Sequence, residues 1–253
     1  MSFNPVLATG IIYRLDESGE RIFAGSCFKF RRDDVLLTAK HCVHADGAYE
    51  VEMPLLHEVM SIKEIRTHPT ADLAVLLADD SFDYRAGDGG PETAFQDGVE
   101  GGALGDDFVT FGYPSEGPRP DTGNEPTPRI FKGHFQRFFR YESSAGSSYR
   151  AGEMSIPAPG GLSGSALFNP EAPSLVTGLV TTNVEAFAVT DSVSEVSSDG
   201  VHYREESRRV LNYGLALMLS DVADWLYLEI PESGRGWLMR SPITGGPLGD
   251  EEE

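Results

Sequence analysis

The chain has 253 residues, 40% hydrophobic and 24% charged, proportions of a folded chain with room for one large domain or two small ones, and not of a disordered one. Twenty Lys and Arg stand against 40 Asp and Glu, a formal net charge of −20, which repels polyanions and argues against nucleic acid or an anionic membrane surface as partner. Cys27 and Cys42, the only cysteines, make neither a disulfide framework nor a four-ligand zinc site, so no metal or cofactor is expected.

Nothing in the sequence approaches the ~20 consecutive apolar residues of a membrane helix. Residues 1–14 lack the basic head and apolar run of a secretory signal, and a cytoplasmic location is expected. Strand signals then dominate in chain order. Ile11 to Tyr13, Cys27 to Phe30, Val35 to Thr38 and Leu73 to Leu76 are short β-branched or aromatic runs, separated by turn chemistry such as Ser18-Gly19 and Asp46-Gly47. Residues 79–106 are acidic and Gly-rich, the composition of a linker between two halves. Residues 79–125 hold twelve acids and two bases, net −10, so half of the chain's excess charge sits in about a fifth of its length. Further strands are expected at Phe108 to Phe111, Arg129 to Tyr141, Leu175 to Thr181 and Val201 to Tyr203, and one helix at Ser220 to Leu228 with Ser220 as its cap. Many short strands with Gly-rich turns predict a barrel or sandwich. The tail after Pro231, rich in glycine and acid, is expected to be poorly ordered at its end.

Three motifs carry chemistry: Leu37-Thr38-Ala39-Lys40-His41-Cys42, His68-Pro69-Thr70-Ala71-Asp72-Leu73-Ala74-Val75-Leu76 and Pro159-Gly160-Gly161-Leu162-Ser163-Gly164-Ser165-Ala166. Each offers one member of a histidine, aspartate and serine set. A serine hydroxyl is a poor nucleophile until an imidazole takes its proton, and the imidazole needs a carboxylate to fix its tautomer. Glycines around a serine allow a sharp turn that leaves two N–H groups free for one oxyanion.

On these residues the chain resembles the trypsin-like serine peptidases of the chymotrypsin fold, and in character the short bacterial HtrA-type domains. Thr38 to Cys42, Asp72 to Leu76 and Gly161 to Ala166 follow the family's His, Asp, Ser order, with Asp72 lying 31 residues after His41 and Ser163 lying 91 after Asp72. Gly25-Ser26-Cys27-Phe28, Gly112-Tyr113-Pro114, Gly178 to Asn183 and Tyr213 to Ala216 add supporting matches. The resemblance implies an all-β protein of two six-stranded antiparallel barrels with a short C-terminal helix. It divides the chain into a first barrel at 1–88, an acidic linker at 89–105, a second barrel with helix at 106–230 and a tail at 231–253. It implies a serine endopeptidase acting on polypeptides, with His41 as general base, Asp72 as orienting carboxylate, Ser163 as nucleophile and the N–H groups of Gly161 and Ser163 as oxyanion hole. The wall of the first specificity pocket (which holds P1, the residue before the scissile bond) is assigned to Pro157, Ala158, Gly160, Thr181, Thr182 and Asn183.

Departures from the family pattern refine these expectations. Leu162 stands where digestive relatives carry the acid that pairs with a newly cut N-terminus, so activation by clipping is not expected; the chain is either constitutively competent or switched by a regulatory protein partner or a loop rearrangement. No carboxylate lies near Pro157, which disfavours cleavage after Arg or Lys. Asn183 replaces a usual glycine and narrows the pocket entrance, which points to small or medium apolar P1 residues. Residues 184–212 are expected as a long loop beside the cleft. Relatives often bridge the cysteine after the histidine, but Cys27 is out of step with the partner position, and two buried thiols are expected. His44, His57, His68, His134 and His202 are read as surface or structural, and Ser165 as a bystander to Ser163. The basic and aromatic run Arg129 to Tyr141 is read as a barrel strand rather than a base-stacking surface. The competing function is a catalytically idle trypsin-like fold used as a binding or sensing module.

Overall fold

A computed structural model describes residues 3–79, 94–98, 102–115, 127–196 and 202–230. The first six strands are β1 (Thr9–Leu15), β2 (Arg21–Phe30), β3 (Arg32–Thr38), β4 (Tyr49–Met53), β5 (Glu58–Thr67) and β6 (Ala74–Ala78). They close into an antiparallel barrel in the order β1-β2-β3-β6-β5-β4. In β4 the alternation puts Tyr49, Val51 and Met53 inside, whereas all five residues of β6 are buried, the two patterns of a half-buried and a fully buried strand. Lys29 on β2 is buried among them and pairs with Glu58 at 3.1 Å and Asp33 at 3.6 Å, where an ammonium without a partner would be prohibitively costly.

The second half comprises β7 (Gln96–Asp97), β8 (Asp107–Gly112), β9 (Arg129–Glu142), β10 (Ser148–Met154), β11 (Ala166–Phe168), β12 (Leu175–Val196) and β13 (His202–Met218). Their order is β11-β8-β9-β10-β13-β12-β7, and a further β11–β12 pairing joins the ends of six of them into a ring. The expected double-barrel, all-β fold is therefore present, with two-residue β7 added in parallel to β12. Helix α1 (Ala223–Glu229) follows. Ser220 does not cap it: residue 220 lies within a 3-10 turn at Leu219–Asp221, and Val222 occupies the cap position. Asp221 instead accepts from the Arg150 N–H at 2.9 Å and pairs with Arg140.

The expected loop at 184–212 is corrected: β12 and β13 run as one long hairpin, paired from Gly178 with Met218 out to Val196 with His202. Its outer half is exposed on both faces, including Phe187, Val189 and Val210, so no one-sided apolar rhythm marks it as strand. Within the expected linker, Phe95 is fully buried, its ring 5.4 Å from that of Phe28 and 5.5 Å from that of Phe168. Its backbone bonds to Lys29 and Arg31, and the next two residues pair with β12, so this short piece ties the two barrels together. Residues 80–93 and 99–101 of that linker, and the tail from residue 231, lie outside the described residues. On the basic strand β9, Arg137 bonds Glu153 at 2.6 Å and lies over Phe139, and Lys132 faces Asp107. No helix among the described residues is long and apolar enough to cross a membrane.

Candidate active site

His41 sits on a single 3-10 turn, Lys40–Cys42, directly after β3. Asp72 is presented by the loop between β5 and β6, and its carboxylate grips His41 twice. Oδ2 lies 2.7 Å from the ring Nδ1, and Oδ1 accepts the His41 backbone N–H at 3.0 Å. The Asp72 side chain is only 12% exposed while that of His41 is 48% exposed, so one ring nitrogen is held by the protein and the other remains accessible. Partial burial pulls the His41 pKa down, but the bond to Asp72 and the adjacent Cys42 outweigh it, and the net shift is upward.

His68 shapes the loop that carries Asp72. Its Nδ1 accepts from the Ala71 N–H at 2.7 Å and the Thr70 N–H at 3.2 Å, its carbonyl accepts from Lys40 Nζ at 3.0 Å, and its ring packs edge-on to Trp225. Burial and the nearby Lys40 lower its pKa, which keeps Nδ1 an acceptor. The expectation of a structural role for this histidine fits that geometry.

Ser163 lies in the turn between β10 and β11 and meets the first barrel across the junction. Its carbonyl accepts the Ser26 N–H at 3.0 Å, and Cys42 Sγ lies 3.8 Å from the same oxygen. The Ser163 hydroxyl donates to the Thr181 carbonyl at 2.8 Å and not to His41. Thr181 is available for this because β12 bulges between Val180 and Thr182; the bulge turns a strand residue toward the junction. Its own hydroxyl bonds Tyr149 and the Leu215 carbonyl.

The peptide orientations in this turn are fixed from outside. The Gly160 carbonyl accepts from the Ser115 N–H at 2.8 Å and hydroxyl at 3.1 Å, and the Leu162 carbonyl accepts from the Ser165 N–H at 3.0 Å. In trans peptides the N–H points opposite to the preceding carbonyl, so Gly161 N–H faces away from Ser115 and Ser163 N–H away from Ser165. Among the described residues neither N–H has an acceptor. Leu162 N–H donates to Pro159 O at 3.0 Å and Gly161 has φ +88°, a type II turn that favours glycine at its third position.

Ser26 is the site residue that the motifs did not single out. Fully buried, its hydroxyl donates to the Gly161 carbonyl at 2.8 Å and accepts the Tyr113 N–H at 3.0 Å. The signal was present in Gly25-Ser26, but only as a marker of the strand. Ser165, two residues after Ser163, is fully buried and unable to meet a substrate. Cys27 and Cys42 are buried and unbridged. Leu162 is fully buried among apolar side chains. Of the expected pocket residues, Asn183 reaches across to Ala158, and Pro157, Gly160 and Thr182 lie on the same two segments. No three His, Cys, Asp or Glu side chains among the described residues cluster as metal ligands would.

Two barrels with a His-Asp pair on one and a glycine-flanked serine turn on the other define the architecture of a trypsin-like peptidase. Residues 25–179, more than half of the chain, match the model of the trypsin-like peptidase domain, and the protein belongs to that family. Comparison with curated protein sequences gives no match. Among solved structures it is similar to the active form of the Rv3671c protease from M. tuberculosis, at TM-score 0.59 and 16% identity over 88% of this chain and 81% of that one. It is also similar to the HtrA-type protease AlgW with a decapeptide, at 0.57 and 18% over 88% and 65%. The MamO protease domain from Magnetospirillum magneticum gives 0.57 and 12% over 87% and 96%. At these identities the likeness is one of fold.

Proposed function

We propose that the protein is a serine endopeptidase that cleaves polypeptides through an acyl-enzyme on Ser163. The family and the fold of its neighbours support a serine protease, and the double grip of Asp72 on His41 is the observation that carries the reading to these residues. Asp72 fixes the tautomer with the proton on Nδ1, leaving Nε2 as the base. Ser163 leaves the Thr181 carbonyl by a rotation about χ1, a motion of picoseconds to nanoseconds for an accessible side chain, and passes its proton to Nε2 as Oγ attacks the scissile carbonyl. The oxyanion that forms takes the free N–H groups of Gly161 and Ser163. His41 then protonates the leaving amine, and water, with the same base, releases the acyl group.

The free donors and the buried Leu162 support a site that is competent without cleavage of the N-terminus. A small alkyl fluorophosphonate tests the reading. It is expected to add covalently to Ser163 of the wild-type chain and not to Ser163→Ala; absence of labelling on the wild-type chain refutes it and leaves the binding-module alternative.

A further inference from the structure

Strand β13 meets β10 only at its inner end, from Leu215 to Leu217. From Tyr213 out to His202 it pairs with β12 on one side and, among the described residues, with no strand on the other. The outer hairpin is thus a two-stranded ribbon, and such a ribbon is marginally stable until further strands extend it. The phase of its open edge is fixed by Ser207, whose carbonyl accepts from the Thr190 hydroxyl of β12 at 3.1 Å and so faces inward. Peptide groups along a strand point to alternate sides, which turns the N–H and carbonyl of Glu206 and of Arg208 outward. Gly214, in the same phase, does point that way, donating to the Ile156 carbonyl at 2.8 Å.

The sequence on this edge, Glu205-Glu206-Ser207-Arg208-Arg209, is its own complement when read against itself. An antiparallel pair of identical strands, related by a two-fold axis through the sheet, sets one residue opposite its own copy. With Ser207 in that place, Glu206 lies opposite Arg208 of the second copy and Glu205 opposite Arg209, each pair repeated by the symmetry. Moving the axis by one residue puts Glu206 or Arg208 opposite itself, and by two Glu205 or Arg209, so like charges meet at the centre. Glu205, Ser207, Arg208 and Arg209 are exposed, and Glu206 already accepts from Arg208 at 2.8 Å along its own strand, so the four side chains on that face would join into one alternating network.

We infer that the outer edge of β13 is a self-association surface, through which two copies of the chain pair antiparallel about Ser207 and merge their hairpins into one four-stranded sheet. Main-chain bonds from Glu206 and Arg208 supply the affinity, as in strand addition generally, and the charges select partner and register. The net charge of −20 opposes association at long range, but that repulsion is screened beyond about 8–10 Å at ordinary salt, whereas the opposed pairs lie in contact. The inference goes beyond the peptidase reading and stands without it.

Sedimentation of the full chain over a range of concentrations tests it. The wild-type protein is expected to sediment as a dimer. Glu205→Arg with Glu206→Arg, or Arg208→Glu with Arg209→Glu, sets four like-charge pairs across the axis and should weaken the dimer roughly tenfold or more. An equimolar mixture of those two variants regains full complementarity and should dimerise, as should the chain carrying all four changes, whose net charge equals that of the wild type. A wild-type chain that is monomeric at its highest soluble concentration overturns the inference and leaves the edge to a strand of another protein. A dimer indifferent to either double change, or one that neither the mixture nor the fourfold reversal restores, overturns it as well.

Discussion

Replacing Gly161 by alanine separates the chemistry of the nucleophile turn from its contribution to folding. At φ +88° an added Cβ would lie 2.7 Å from Ser115 N, 2.8 Å from Tyr113 O and 2.9 Å from Phe23 Cε1. Two of those atoms are backbone, and Ser115 N is held by its bond to the Gly160 carbonyl, so the turn and not its surroundings must give way. A left-handed alanine costs about 1–2 kcal/mol even in open space, and relieving the clash by rotating the Gly160–Gly161 peptide breaks the Ser115 bond and swings the Gly161 N–H off the oxyanion. Loss of one oxyanion donor is worth about 2.7–4 kcal/mol, or a 10²–10³-fold slower reaction. The expected result is fluorophosphonate labelling of Ser163 slowed by that factor, with Tm lowered by only several degrees. Gly19→Ala is the control: φ is +83°, yet nothing lies within 4 Å of the added Cβ, so it carries the backbone strain without the clash and should label at the wild-type rate. A Gly161→Ala protein that labels at the wild-type rate, or is slowed only in proportion to its unfolded fraction, refutes the oxyanion role.

The upward shift of His41 predicts that labelling rises with pH through an imidazole pKa above the usual 6.5, because the base must be neutral; an ascending limb at or below 6.5 in kcat/KM contradicts the Asp72 coupling, and Asp72→Asn should move the limb down. Stability runs in the opposite sense: the contribution of protonated His41 is complete below its unfolded pKa and is lost as pH rises through the higher folded value, which equilibrium unfolding of wild-type and His41→Ala proteins across that window would show. Ser26→Ala removes the donor to Gly161 O and leaves the Tyr113 N–H buried without its acceptor. It should cost about 1–3 kcal/mol in chemical denaturation and slow labelling of Ser163; unchanged stability together with unchanged labelling would show that the turn holds itself.

The strands of the first barrel were legible because burial on one or both faces writes itself into alternation or a continuous apolar run, as in Tyr49-Glu50-Val51-Glu52-Met53 and Ala74 to Ala78. The outer part of the β12–β13 hairpin was not, because a ribbon exposed on both faces places no such demand on its residues. Phe95 escaped notice for a related reason: one buried ring in an acidic, Gly-rich segment has no period to reveal it, and only the meeting of Phe28 and Phe168 around it makes it an anchor.

For the site, sequence alone supplied the chemical inventory and its order along the chain: His41, Asp72 and Ser163 stand in short motifs whose residue types answer to a proton acceptor, an orienting carboxylate and a sharply turned hydroxyl. Tertiary structure decided how those groups stand to one another. It placed the Asp72 carboxylate on the backbone N–H and the ring Nδ1 of His41, turned Ser163 toward Thr181, tied the turn at 160–163 to Ser26 and Ser115, and joined Asn183 to Ala158. These contacts join residues from 18 to 135 positions apart, and most fall on backbone N–H and carbonyl groups that every residue but proline carries alike. Which of those groups meet depends on the packing of the two barrels, and local sequence does not encode it.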